Sequence, residues 1–144
     1  MRSILMLFVL VGAMVVLGAD SAYGQKVWYS GNVEATMRSL ENNADNFSKS
    51  LDVALDYSEI DGTKMEDEIN KYVHDWEESL DMLKEKVDDQ EAAPVRYRAM
   101  LAHARKINQF MTRYSLAWKA EQDWLKCRKD INALGNVYRI TVKW

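Results

Sequence analysis

Two histidines, one cysteine and 22 carboxylates are the side chains from which a catalytic or metal centre would have to be built in this 144-residue chain. A di-metal carboxylate bundle takes a Glu-x-x-His pair on each of two helices, because that spacing projects both ligands inward one turn apart. Lys71 stands three residues before His74 and Met100 stands three before His103, so neither histidine fits. A single cysteine excludes an internal disulfide and any multi-cysteine metal knuckle, and the absence of Cys-x-x-Cys-His excludes covalent c-type haem. Non-covalent haem held between a methionine and a histidine is not excluded by motif. Met37, Met100 or Met111 could face a core, with His103 on the flank of its stripe. No nucleotide-binding loop, Gly-x-Ser-x-Gly or zinc-protease helix occurs. A Cys127–His103 dyad would need an exposed thiol, and the position of Cys127 on an inward stripe points to an inert one. The many carboxylates around His74 (Glu78, Asp81 and Glu85 among them) line a solvated helix face with no cleft between them. The expectation is a non-enzymatic chain with no cofactor and no metal.

Those residues are carried on elements that the apolar pattern defines. The first 24 residues read as a leader: Arg2, then the apolar run Ile4–Gly18, then Asp20 and Ser21. Small residues flank Tyr23 in Ala22-Tyr23-Gly24, which places signal-peptidase cleavage before Gln25. The apolar run is short of the roughly 20 residues a spanning helix needs, so a cleaved leader is expected rather than an uncleaved anchor. No cysteine follows it to take a lipid. Residues 25–144 form the expected single domain, periplasmic or secreted, with no transmembrane segment. An unpaired thiol in an oxidising compartment persists when it is buried, so Cys127 is expected inside.

Apolar residues then recur every three or four positions in four stripes. The first is Val33, Met37, Leu40, Ala44, Phe47, Leu51 and Leu55; the second is Ile69, Val73, Trp76, Leu80, Leu83 and Val87, flanked by Met65 and Tyr72. The third is Tyr97, Met100, Ala104, Ile107 and Met111, widened by Leu101 and Phe110; the fourth is Ala120, Trp124, Cys127, Ile131, Leu134 and Tyr138. Asn32 can cap the first helix, Thr63-Lys-Met-Glu66 reads as a capping box, Pro94 suits a first turn, and Ser115 can cap the fourth helix. Helices are expected over about 32–57, 63–90, 94–113 and 115–138. The economical fold is all-α, an up-and-down antiparallel four-helix bundle with short extended N- and C-terminal tails.

Charge is segregated along the chain. Lys64–Pro94 carries a net −7 and Val95–Trp144 a net +8, against −3 for the whole. That total gives no reason to expect nucleic acid. One reading is that neighbouring helices of opposite sign complement each other and set the topology. The other is a basic face for an anionic envelope polymer, a lipid headgroup or an acidic envelope protein. Arg98, Arg105, Lys106 and Arg113 project in one arc of the third helix; Lys119, Lys126 and Lys129 point away from the stripe of the fourth. Trp118 and Leu125, seven residues apart, face outward beside them and complete the candidate contact surface. Alternatively Trp118 packs on Val27-Trp28-Tyr29.

The stretch Leu51–Asn70 (LDVALDYSEIDGTKMEDEIN), with Val73 and Trp76 after it, resembles a pattern in a functionally uncharacterised family of small exported bacterial helical-bundle proteins. Ile107–Met111, Glu121–Trp124, Asp130–Leu134 and Val137-Tyr138 are similar to the same group, so the resemblance spans most of residues 25–144. It implies export and a helical fold, and it carries no active site. The chain departs from the group at Gly135, where a helix former is expected, and in its tail Arg139–Trp144. The resulting expectation is a binding or structural module of the bacterial envelope. The alternatives are a periplasmic carrier of a small apolar ligand or haem, and a periplasmic chaperone-like protein.

Overall fold

Each of the four stripes folds as a helix: α1 (Gly31–Asp56), α2 (Lys64–Asp88), α3 (Pro94–Arg113) and α4 (Trp118–Val137). The computed structural model describes residues 31–144, so the leader and the expected N-terminal extended stretch lie outside the described residues. The helices form an antiparallel four-helix bundle in which α1 lies along α4 and α2 along α3. Contacts between α1 and α2 are fewer, and those between α3 and α4 are the sparsest of the four neighbouring pairs. No helix among the described residues is long and apolar enough to cross a membrane.

The burial follows the periodicity. Every residue of the first three stripes is buried, as are the first five of the fourth, while Tyr138 is half-buried. Phe47, Trp76 and Trp124 meet on the bundle axis, with ring centroids 5.0 Å apart for Phe47–Trp124 and 5.5 Å for Trp76–Trp124. Edge-on and tilted ring packing of this kind adds about 0.5–1.5 kcal/mol per pair beyond the area buried. Trp124 Nε1 donates to Asn108 Oδ1 at 3.1 Å, which satisfies two buried polar groups across α3 and α4. On the α1–α4 side, Ser39 Oγ and Asn43 Nδ2 donate to Asp130 Oδ2 at 2.7 and 2.8 Å.

The helix ends are set by identifiable caps. Thr63 Oγ1 accepts from the Met65 amide at 3.3 Å, and Glu66 reaches back to the Gly62 amide at 2.6 Å. The expected capping box is therefore present, displaced by one amide at each end. Pro94 sits at the start of α3 as its missing N–H allows. Two caps differ from expectation. α1 already includes Gly31, so Asn32 is inside the first turn. α4 begins at Trp118 after Ala117, three residues beyond Ser115, and no side chain caps it. The segment 115–117 is non-helical instead, which lays Leu116 half-buried against the core.

Both α2 and α4 end in Schellman motifs. Glu91 N–H donates to Lys86 C=O and Gln90 N–H to Val87 C=O; Ile140 N–H donates to Gly135 C=O and Arg139 N–H to Asn136 C=O. This motif puts one residue in the left-handed region, usually glycine. Here those residues are Gln90 (φ 58°) and Arg139 (φ 54°).

Beyond Arg139 the chain turns back along α4 and enters the gap between α3 and α4. Gly135 makes that approach possible: a Cβ there would stand 2.7 Å from the Tyr97 hydroxyl, 2.8 Å from Val142 Cγ2 and 2.9 Å from the Ile140 carbonyl. The departure from a helix former at this position is thus a packing requirement of the tail.

Candidate functional site

The basic arc expected on α3 is divided between two sides of the helix. Arg98, Lys106 and Arg113 are exposed and Arg105 is half-buried. Lys106 and Arg113 border α2, where they line a groove of about 160 Å³ with Met65, Glu68, Tyr72 and Tyr114. Lys106 Nζ stands 5.4 Å from the Tyr72 ring. Arg105 turns the other way and donates from Nε to the Lys143 carbonyl at 3.0 Å, so it holds the tail rather than a partner.

On α4 the expected lysines are also partly engaged. Lys119 pairs with Asp123, and Lys126 Nζ lies 2.8 Å from Asp123 Oδ1. Asp123 is fully covered although both lysines remain largely exposed. Burial pushes its carboxyl up, but hydrogen bonds from Lys119, Lys126 and Ser50 outweigh that and hold it at about 2. Lys129 is exposed. Trp118 is 71% exposed and Leu125 49%, as their outward wheel positions require. The alternative packing partner of Trp118, Val27-Trp28-Tyr29, lies outside the described residues. Gly31 is at the opposite end of the bundle from Trp118, because α1 and α4 are antiparallel.

A more concentrated apolar surface appears at the end where the 57–63 and 114–117 connections meet. An open cleft of about 520 Å³ there is lined by Tyr57, Ile60, Arg113, Tyr114, Leu116 and Ala117 among others. Tyr57 is 89% exposed on its rim, and Trp118 follows Ala117 directly. Arg113 stacks on the neighbouring Tyr114 ring at 5.7 Å. Of the nine expected contact residues, Arg113, Trp118 and Lys119 belong to this end; Leu125, Lys126 and Lys129 extend along α4, and Arg98 lies near the far end of α3. Tyr57, Tyr114 and Leu116 are additions from the structure. A signal for two of them was present: Tyr57 and Tyr114 each follow the last residue of an odd-numbered helix, and an up-and-down bundle brings those ends together.

The remaining titratable groups follow simple causes. His74 is exposed, with Nε2 3.4 Å from Glu78 Oε1. Cys127 is buried, and burial with the nearby Asp130 and Asp123 charges pushes its thiol far up, which leaves it un-ionised. Tyr97 is pushed up to about 12 by burial, and its hydroxyl donates to the Ile131 carbonyl at 2.7 Å. Asp56, Asp61 and Glu66 gather within 4.8 Å of one another at the α1–α2 turn, where Glu66 accepts the Gly62 amide. Glu41 and Glu77 lie in an acidic groove between α1 and α2 with Asp45 and Asp81. Burial raises both carboxyls, and those aspartates add to the rise.

Comparison of the chain with protein-family models, with curated proteins and with solved structures gives no match.

Proposed function

We propose that this chain is a non-enzymatic binding module of the bacterial envelope, which contacts an envelope protein or an anionic envelope polymer through the Tyr57–Trp118 end of its bundle. The observation that carries this reading is Trp118, a large aromatic side chain left 71% exposed beside a 520 Å³ cleft and an exposed Arg113. Exposed tryptophan and arginine beside a half-buried apolar wall are the residue types that dominate binding energy at interfaces. The leader-like segment and the resemblance to exported helical bundles support the envelope as the place of action. A carrier role has less support, because Phe47, Trp76 and Trp124 occupy the axis where an apolar ligand or haem would sit.

The test is co-sedimentation of the purified protein with an envelope fraction of its host. The double substitution Trp118→Ala with Arg113→Glu should weaken association about tenfold or more. Both side chains are exposed, so the melting temperature should move by no more than a few degrees. Association that is unchanged by the double substitution rejects this surface as the contact.

A further inference from the structure

The tail Ile140–Trp144 is held in the α3–α4 gap by side chains of those two helices. Arg105 donates to the Lys143 carbonyl at 3.0 Å, and Asn132 Oδ1 accepts the Trp144 indole N–H at 3.0 Å. The Trp144 ring stands edge-on to Trp124 at 6.1 Å with the Arg128 guanidinium 4.9 Å over its face. Val142 packs against Gly135, the position where a Cβ would not fit. Apart from the Schellman hydrogen bonds at the turn, these contacts depend on the groove and not on the connection that delivers the tail. The same tail arriving from a second molecule would make all of them.

The connection itself favours release. Arg139 turns the chain with φ at 54°, a left-handed conformation that is unfavourable for any residue bearing a Cβ. Extending this hinge removes the strain, and strained short hinges are the ones that exchange. Val95 and Val137, both exposed apolar side chains, lie at the same end of the bundle and are available for burial when two copies meet there.

We propose that two copies of this chain pair by reciprocal exchange of Ile140–Trp144, each tail filling the α3–α4 groove of the other. Intramolecular delivery sets an effective concentration in the millimolar range, so the closed monomer dominates in dilute solution. Strain relief at two hinges brings exchange down to hundreds of micromolar or below, an order-of-magnitude expectation. Pairing at the hinge end leaves both Tyr57–Trp118 ends free and facing away from each other.

The experiment mixes full-length Arg105→Cys protein with full-length Lys143→Cys protein at several hundred micromolar (order of magnitude). The mixture is taken through its thermal transition, cooled, and treated with a short bis-maleimide. Cys127 is buried and does not compete. Exchange predicts a cross-linked pair containing one copy of each variant, many-fold above the cross-linked product of either variant alone. Adding Arg139→Gly to both chains should lower that yield about tenfold or more, because glycine removes the strain from the closed form. Light scattering of the unaltered chain gives an independent readout, with a dimer fraction that rises with concentration. A monomeric mass throughout, or equal cross-linking by the single variants, overturns the proposal.

Discussion

Asp123 shows how a charged side chain sits covered in a small bundle without weakening it. Its carboxylate is closed off from solvent, yet two lysine ammonium groups one turn away on α4 and the Ser50 hydroxyl from α1 supply its hydrogen bonds. A carboxyl held at about 2 when folded, and near 4 when unfolded, contributes stability that is fully present above pH 4. That contribution is lost as pH falls through the folded value. Asp123→Asn should therefore cost about 1–2 kcal/mol at pH 7, after allowance for the solvent screening of the exposed lysines. Urea unfolding of both proteins from pH 7 to pH 2 checks this, and the two stabilities should converge toward pH 2. A constant difference across that range would show that the charge is not what Asp123 supplies.

At the level of elements, the helix terminations depart furthest from what residue types suggest. Glycine is the usual residue at the left-handed position of a Schellman motif, but α2 places Gln90 there and α4 places Arg139. Gln90 is half-buried in the α2–α3 turn, and Glu91 beside it pairs with Lys86 at 2.8 Å. Gln90→Gly should keep that turn and remove the steric penalty, a gain of about 0.5–1 kcal/mol after the added freedom of glycine in the unfolded chain. A rise in melting temperature of a few degrees is expected; an unchanged or lower value would mean the Gln90 side chain makes a compensating contact. The helices themselves were legible in the sequence, with every end within three residues of the expected one. Capping was less so: Asn32 and Ser115 have suitable side chains, but where a helix begins also depends on what the preceding segment packs against. Leu116 leaves the helical path to reach the core.

Across the whole molecule, charge is arranged by face. In this up-and-down ring the acidic α1–α2 groove is on the opposite side from the α3–α4 gap, where Arg105 and Arg128 hold the tail. The expected complementarity of α2 and α3 is present in part, since His103 and Lys106 of α3 help lower Asp75 of α2 after its own Lys71 hydrogen bond. The acidic groove carries a cost instead. Glu77 is raised by burial, with Asp45 and Asp81 adding to the rise, so ionising it costs more in the fold than in the unfolded chain. Glu77→Gln should stabilise the protein by a few tenths of a kcal/mol at pH 7, a figure discounted for partial exposure, while keeping the acceptor that Ser48 uses. The sign follows from linkage: the wild type gains stability as pH falls through the raised carboxyl value, so the difference should close below about pH 4. Chemical denaturation at pH 7 and pH 4 measures it.

The sequence alone determined the four helices, their buried faces and the enclosure of Cys127, because a period of 3.6 residues commits one side of each helix to the interior whatever its neighbours are. It also marked Trp118 and Leu125 as outward, since their angular positions are fixed by the same period. What the tertiary structure decided was which outward groups are free. Arg105 looks like Arg98 on a helical wheel, yet it is engaged by a carbonyl 38 residues away. Lys119 and Lys126 meet Asp123 one turn away on their own helix, and what the bundle adds there is the covering of that aspartate. The role of Gly135 was equally hidden, because it answers to Tyr97 and Val142 across space rather than to its own helix. Periodicity encodes which side of a helix is apolar; it carries no information about which of two neighbouring gaps stays wide, and here the wide gap between α3 and α4 is the one the tail fills.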